Sequence, residues 1–156
     1  MIQCRRMTPE SLQDAFGLLS TFLGQDDYYV DSSRAYGDGG TTALSSALEL
    51  FLQRPELGFI WLAYEDNEPA AVCVVSLAIS TSIGALVAKL DDVFVSWTRQ
   101  RQGIGSGHLN QLKAELRQLG VQRIDTSVHL HNEPARRFYA RHGFTSLHEE
   151  RLACVL

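Results

Sequence analysis

The sequence is poor in cysteine, in long apolar runs and in excess charge. Its three cysteines, Cys4, Cys73 and Cys154, are widely spaced and form no Cys-x-x-Cys pair. This pattern argues against a disulfide framework and is typical of buried thiols in a reducing compartment. The longest apolar stretch, residues 70–79 with Ser76 inside it, is too short to span a bilayer. With no signal-peptide pattern, we expect a cytoplasmic protein.

The charge balance disfavours two classes of partner. Lys and Arg number 14 against 18 Asp and Glu, so the formal net charge is −4. We therefore expect neither nucleic acid nor an anionic membrane surface as a partner, although Arg99 and Arg101 form a local basic patch. No internal repeat, low-complexity tract or linker divides the chain, so its 156 residues predict a single domain, 1–156.

A glycine-rich stretch, Gln-Arg-Gln-Gly-Ile-Gly at residues 100–105, separates an apolar strand from the start of a helix. Glycines allow several backbone N–H groups to point at one place where a helix begins, which favours a phosphate or pyrophosphate. The P-loop pattern is absent, because no glycine is followed at the required spacing by Gly-Lys-Ser/Thr. The dinucleotide fingerprint is incomplete, because His108 stands where its third glycine is required.

Hydrophobic periodicity predicts alternating strands and helices. Apolar residues recur three and four positions apart from Leu12 to Leu23 and from Leu109 to Leu119, which is the spacing of an amphipathic helix. Residues 25–40 lack such a period and predict a loop. The predicted elements in chain order are a strand at 2–7, two helices with apolar stripes at 12–23 and 44–51, strands at 59–64, 70–80 and 86–95, a helix after the glycine loop with its apolar stripe at 109–119, a strand at 124–130, a helix at 132–142 and one or two closing strands at 144–156.

Two motifs together resemble the GNAT superfamily of N-acetyltransferases. The loop at residues 100–105 is similar to the family's Gln/Arg-x-x-Gly-x-Gly/Ala loop, which binds the pyrophosphate of acetyl-CoA. Residues 132–144 match the family's Asn-x-x-Ala-x-x-Phe-Tyr-x-x-x-Gly-Phe signature at every fixed position. The resemblance implies an α/β fold with helices on both faces of a mixed sheet that splays apart at its fourth strand. It also implies transfer of an acetyl group from acetyl-CoA to a primary amine within a ternary complex.

The resemblance assigns the cosubstrate acetyl-CoA mainly to backbone groups. In the family, the strand before the glycine loop carries a bulge and its free edge pairs with the pantetheine amides. The implied cosubstrate contacts are Val93, Phe94 and Val95 of the strand, Arg101, Gln102, Gly103, Ile104, Gly105 and Ser106 of the loop, and Asn132 at the start of the last helix. Arg101 stands where relatives often have glycine, and Trp97 replaces a frequent proline.

Tyr139 and an aspartate are the implied catalytic residues. Relatives use the equivalent tyrosine to protonate the departing thiolate. Alkylammonium groups titrate at about 10, so a base is needed. Residues 90–95 resemble a Leu-Glu-Asp-Leu/Phe-Tyr/Phe-Val segment of diamine and thialysine acetyltransferases, in which the first acidic residue is the suggested base. That residue is Asp91, with Asp92 or water as alternatives. Strict alternation puts Asp91 on the face of Val93 and Asp92 opposite, an assignment that a bulge reverses.

The acceptor side is less defined by motifs. Acidic and aromatic residues that suit a cationic amine stand where the family builds its acceptor wall, namely Asp26, Asp27, Tyr28, Tyr29 and Asp31. We expect a small-molecule amine, with a protein N-terminus, a lysine side chain or a non-catalytic acyl-CoA sensor as alternatives. His129 and His131 lack a third ligand, so no metal site is predicted. The resemblance also allows a homodimer.

Overall fold

The computed structural model describes the backbone of residues 1–156 and all side chains except those of residues 32–34 and 36. Its centre is a five-stranded sheet whose strands follow chain order. The strands are β1 (Ile2–Arg6), β2 (Gly58–Glu65), β3 (Glu68–Ser80), β4 (Ala85–Val95) and β5 (Ile124–Thr126). Neighbours are antiparallel from β1 to β4, whereas β4 and β5 are parallel. This mixed sheet confirms the predicted fold class.

Helices cover both faces of the sheet. They are α1 (Leu12–Gln25), α2 (Asp27–Tyr36), α3 (Gly40–Gln53), α4 (Ile104–Gln118) and α5 (Glu133–Arg141). We call the two sides the α1 face, which α1 and α3 cover, and the α4 face, which α4 and Phe138 of α5 cover. On β2, Ile60 and Leu62 point to the α1 face while Phe59 and Trp61 point to the α4 face, so this strand is apolar throughout. Among the described residues, no helix is both long and apolar enough to cross a bilayer.

The hairpin between β2 and β3 has a short polar turn. Its tip consists of Asp66 and Asn67, with φ of 51° and 65°. Positive φ at both central residues is the requirement of a type I′ turn, which joins twisted antiparallel strands well. Asn and Asp tolerate this conformation better than most residues, so the local sequence supports the connection between the two central strands.

The predicted loop at residues 25–40 is wrong, because α2 occupies most of it. The Asp26 side chain accepts a hydrogen bond from the Tyr29 N–H at 2.9 Å and so caps the start of this helix. The Tyr29 ring then packs against Phe22 of α1, with ring centroids 5.8 Å apart. A cap and contacts with other elements hold α2, rather than the apolar stripe by which a helix is recognised in a sequence.

The C-terminal part also differs from the prediction. β5 ends at Thr126 instead of continuing to Leu130, and Leu130 is 75% exposed. The last pair between β4 and β5 joins Leu90 and Thr126, and the chain then leaves the sheet. The closing strands predicted at residues 144–156 are absent from the described backbone. The outer edge of β5 is only three residues long, which leaves too short a ladder for a further strand.

Candidate active site

The sheet opens between β4 and β5. Residues 88–90 of β4 pair with Ile124–Thr126, and this pairing then ends. β4 continues to Val95 while it keeps β3 as its neighbour on the other side. Along this stretch, the edge of β4 turned away from β3 has no strand partner among the described residues, and its amide groups can pair with an extended ligand. The splay predicted beside Val93, Phe94 and Val95 is thus present.

A bulge lies within the same stretch of β4. Asp91 is opposite Val74 of β3, and Phe94 is opposite Val72, so β4 has one residue more than β3 between these pairs. Asp92 has a φ of 52°, in the left-handed region that only a few per cent of non-glycine residues adopt. Such a bulge bends the strand and increases its twist. The bend accounts for the separation of β4 from β5.

The glycine loop closes back onto the end of β4. Gln100 Nε2 donates a hydrogen bond to the Val95 carbonyl at 3.1 Å. Two residues of the loop have positive φ, Arg101 at 64° and Gly103 at 78°. The left-handed backbone at Arg101 explains why relatives often have glycine there, since glycine adopts this conformation without strain. Gly103 is the N-cap of α4.

The start of α4 offers free backbone donors. The first intrahelical hydrogen bond joins the Gly107 N–H to the Gly103 carbonyl at 3.1 Å. The N–H groups of Ile104, Gly105 and Ser106 precede this bond and have no intrahelical acceptor. Together with the positive end of the helix dipole, they form an anion site at the end of β4.

The local basic patch is smaller than predicted. The Arg99 guanidinium pairs with the Glu65 carboxylate, and both side chains are three-quarters buried. Arg99 is therefore already neutralised by an acidic partner, whereas Arg101 and Gln102 are exposed in the loop. Trp97, which stands in place of the family's frequent proline, packs edge-on against Phe94 with ring centroids 5.2 Å apart.

Tyr139 of α5 reaches the point where β4 and β5 separate. Its hydroxyl interacts with the Thr126 side chain, and the Thr126 hydroxyl donates to the Leu90 carbonyl at 3.1 Å. Thr126 is the last residue of β5, and Leu90 is the last residue of β4 that pairs with it. Burial above all, and then nearby Cys73 and Asp91, raise the pKa of Tyr139 to about 12, although the Thr126 hydrogen bond lowers it. The phenol is thus protonated at neutral pH.

Contacts with α4 hold the helix that carries Tyr139. Ser106 Oγ and His142 Nε2 are 2.9 Å apart, and Lys113 Nζ donates to the His142 carbonyl at 2.6 Å. The Asn132 side chain accepts from the Ala135 N–H at 3.2 Å and so caps the start of α5. These contacts fix the end of α5 against the first turns of α4 and so place the tyrosine relative to the anion site.

The sequence profile of the acetyltransferase (GNAT) family matches residues 25–144. The chain belongs to the GNAT family. A search of curated proteins gave no significant match.

Solved structures share the whole fold. An integron cassette protein from the mobile metagenome of Cole Harbour Salt Marsh is 25% identical with a TM-score of 0.79, over 99% of this chain and 90% of its own. A predicted acetyltransferase from Clostridium acetobutylicum, solved with acetyl-CoA, is 18% identical with a TM-score of 0.69, over 97% and 94% of the two chains. An aminoglycoside acetyltransferase from an uncultured soil sample is 18% identical with a TM-score of 0.76, over 100% and 99%.

In this GNAT protein, both aspartates lie on the α1 face, whereas Asp91 was predicted on the face of Val93. Asp91 lies opposite Val74, a residue of the α1 face, and its carboxylate is 3.2 Å from Lys89 Nζ. Val93 instead packs on the α4 face. The strict alternation that grouped Asp91 with Val93 is therefore wrong, because the inserted residue shifts every side chain after it. Asp92 turns into a cavity on the α1 face.

Asp92 is a poorly solvated carboxyl group. Burial above all, and then the charges of Asp91 and Asp38, raise its pKa from the ordinary 3.8 to about 6, against the lowering effect of Lys89 and Arg151. Within the described part of the chain, its carboxylate has no hydrogen bond or ion pair. A carboxyl group in this state is ionised at neutral pH and has an open position for a cationic or proton-donating partner.

Only one residue of the predicted acceptor wall lines this cavity. Tyr29 does so, and its hydroxyl donates to Asp38 Oδ2 at 2.6 Å. The other predicted wall residues do not line it, namely Asp26, Asp27, Tyr28 and Asp31. Asp31 instead pairs with His129 Nε2 at 3.0 Å. Among the described side chains, no group of three metal-binding residues includes His129 or His131.

His108 is a structural residue that the sequence did not single out. Its Nε2 is 3.2 Å from the Trp61 carbonyl, and Trp61 Nε1 donates to the His108 carbonyl at the same distance. Burial lowers the pKa of His108 to about 4, although the Trp61 contact opposes this shift. The neutral imidazole therefore fixes α4 on β2. Its spacing of four residues from Leu112 and eight from Leu116 is the signal that places it on the buried side of the helix.

Proposed function

We propose that the protein is an acetyl-CoA-dependent N-acetyltransferase that acetylates the primary amine of a small molecule by direct attack in a ternary complex. One observation carries the proposal. The unpaired edge of β4 ends at the free N–H groups of α4, and Tyr139 meets the same edge at its other end.

The residues along this edge suit acetyl-CoA. The backbone of Val93, Phe94 and Val95 provides hydrogen-bonding groups for the two amides of the pantetheine arm. The N–H groups at residues 103–106 suit the diphosphate, and the exposed guanidinium of Arg101 adds a positive charge beside them. Along the edge of β4 towards α4, the protein's hydrogen-bonding groups thus follow the order of the groups in CoA, with the pantetheine amides before the phosphates.

The chemistry requires one bond to form, one to break and one proton to move. Acetyl-CoA supplies the acetyl group. Its carbonyl carbon forms a bond to the amine nitrogen while the bond between that carbon and sulfur breaks. The nitrogen loses one proton and the sulfur gains one. The protein's own contribution is mainly to hold the two reactants in position, because correct orientation alone removes a large part of such a barrier.

Asp92 is the better placed base. Its carboxylate lies at the bulge and has no hydrogen bond or ion pair to the residues that the structure describes, whereas Asp91 is already paired with Lys89. A base is most effective when its pKa lies near the working pH, and the pKa of Asp92 at about 6 meets this condition. We therefore assign proton removal from the amine to Asp92 rather than to Asp91, which the sequence resemblance had favoured.

Tyr139 donates a hydrogen bond to the departing sulfur. A free thiol titrates at about 8.5, so a phenol of higher pKa donates a hydrogen bond more readily than it gives up its proton. With its pKa raised to about 12, Tyr139 stabilises the negative charge that develops on sulfur, and solvent provides the proton that the thiol finally keeps.

Two measurements test this function. Calorimetry with CoA tests the binding site, and release of the CoA thiol from acetyl-CoA across a panel of amines tests the reaction. We expect binding and amine-dependent thiol release, with Asp92→Asn slower than Asp91→Asn. Binding without release on any small amine, polyamine or peptide would favour the acyl-CoA sensor instead, and absence of CoA binding would contradict both functions.

A further inference from the structure

A cavity of about 250 Å³ lies on the α1 face beside the bulge of β4. It is lined by residues of helices α1, α2 and α3, of the segment between α2 and α3, and of strands β2, β3 and β4. Leu48 and Ile60 are fully buried members of this lining. Apart from Tyr29, Asp38 and Asp92, the described lining residues are aliphatic, glycine or phenylalanine. The cavity therefore suits the apolar body of a ligand.

The two carboxylates of the cavity differ in what they are free to bind. Asp38 accepts the Tyr29 hydroxyl at 2.6 Å and the Gly40 N–H at 2.7 Å, which hold the pKa of its carboxyl below the ordinary value. Each of its oxygens thus accepts one hydrogen bond that fixes the segment before α3, and Asp38 lies at the exposed end of the cavity. Asp92 has no hydrogen bond or ion pair to any described residue, so it is the carboxylate at the inner end that is open to a positive group.

The position of Asp92 connects the cavity with the reacting centre. It is the bulged residue, and the bulge lies where β4 leaves β5. Tyr139 and the anion site lie at the same opening, and α4 and α5 carry them on the opposite face of the sheet. A group held by Asp92 is therefore beside the opening, while the rest of its molecule extends away between α1 and α3.

We propose that the acceptor is a small monoamine with an apolar body, which lies in this cavity with its ammonium group against Asp92. The inference rests on the proposed function and specifies its substrate class. The cavity volume equals about eight water volumes at 30 Å³ each, enough for hexylamine or 2-phenylethylamine. The described residues that line the cavity between Asp92 and the exposed Asp38 end are apolar, so a second ammonium group or several hydroxyl groups buried there would lack partners among them, which disfavours polyamines and aminoglycosides.

Matched pairs of amines test the substrate class with the full-length protein. We expect kcat/KM to rise about fourfold for each methylene from propylamine to hexylamine, as apolar burial predicts. Hexylamine should exceed 1,6-diaminohexane, which differs only in a second ammonium group, by about tenfold or more. Hexanol, which lacks the charge, should compete with hexylamine much more weakly than 2-phenylethylamine does.

A variant that fills the cavity separates the acceptor site from the CoA site. Ala47 lines the cavity from α3, whereas Ser45 of the same helix is exposed. Ala47→Phe should lower kcat/KM for hexylamine about tenfold or more and leave CoA affinity by calorimetry unchanged. Ser45→Phe adds the same bulk on the outside of the helix and should change neither quantity by more than about twofold.

The outcomes distinguish this inference from the proposed function. Rapid acetylation of 1,6-diaminohexane or kanamycin, with Ala47→Phe as active as the parent protein, would overturn the apolar acceptor while supporting the acetyltransferase. Equal competition by hexanol and 2-phenylethylamine would overturn the role of Asp92 as the partner of the ammonium group. Loss of CoA binding in the unsubstituted protein would instead overturn the function on which the inference rests.

Discussion

Replacement of Asp92 by asparagine should make the protein more stable at neutral pH and less active. The carboxyl has a pKa of about 6 in the folded protein and an ordinary value of 3.8. The folded state therefore binds this proton more tightly than the unfolded state, and stability is lost as the pH rises through 6. Each pKa unit corresponds to about 1.4 kcal/mol, so the ionised group costs up to about 3 kcal/mol at pH 8. Asparagine imitates the neutral acid and removes this cost.

Urea denaturation followed by tryptophan fluorescence measures the difference, with buried Trp61 as the reporter. We expect Asp92→Asn to exceed the parent protein by up to about 3 kcal/mol at pH 8, and the two to be nearly equal at pH 4. For a chain of this length, the same difference raises Tm by about 6–12 °C. His108 titrates in both proteins, so it does not affect the comparison.

Asp91→Asn is the matched control. It removes the neighbouring carboxylate and the pair with Lys89, so its free energy of unfolding should differ from that of the parent by no more than about 1 kcal/mol at either pH. The argument would be refuted if Asp92→Asn were no more stable than the parent at pH 8, or if its advantage persisted unchanged at pH 4. A stabilised variant with reduced turnover is the result expected of a functional residue whose charge is poorly solvated.

Three further substitutions test other parts of the structure. Tyr139→Phe should lower turnover about tenfold to a hundredfold while CoA affinity by calorimetry stays constant, and unchanged turnover would remove Tyr139 from the reaction. His108→Gln should reduce the loss of unfolding free energy between pH 7 and pH 4 by up to about 3 kcal/mol. The reason is that the pKa of His108 lies near 4 in the folded protein, so its stabilising effect is present above pH 6.5 and is lost as the pH falls. A variant that is equally sensitive to acid would contradict this prediction. Gly103→Ala should lower the free energy of unfolding by about 1–2 kcal/mol and weaken CoA binding, because the φ of Gly103 is 78°. As a control, Gly17→Ala should not destabilise the protein, because a methyl group at Gly17 meets no atom within 4 Å.

Local signals predicted the parts of the site that depend on the backbone. The glycine loop, the start of α4 and the Asn132 cap follow from residues adjacent in the chain, and each lies where the sequence indicated. Tyr139 follows from its place in a motif, although its contact with Thr126 does not, because β5 and α5 meet only in the folded protein. The alternating pattern of β5 did not reveal that Thr126 ends the strand.

Features that depend on distant elements were not predictable from the sequence. The bulge at Asp92 arises from the register of β4 against β3, and a one-residue shift exchanges the faces of neighbouring side chains. The cavity beside it is lined by residues of helices α1, α2 and α3 and of strands β2, β3 and β4, so no single segment of the sequence signals it. The polar helix α2 was missed because a capping aspartate and contacts with other elements hold it in place of an apolar stripe.

The opening between β4 and β5 has a kinetic consequence for a two-substrate enzyme. In the arrangement proposed above, the donor lies along the β4 edge towards α4 and the acceptor enters from the α1 face, so neither molecule would obstruct the entrance of the other. Binding in either order is then sterically open, and initial-rate lines measured at several fixed donor concentrations should intersect. The thiol product and the acetylated amine likewise depart through separate exits, which leaves neither trapped behind the other.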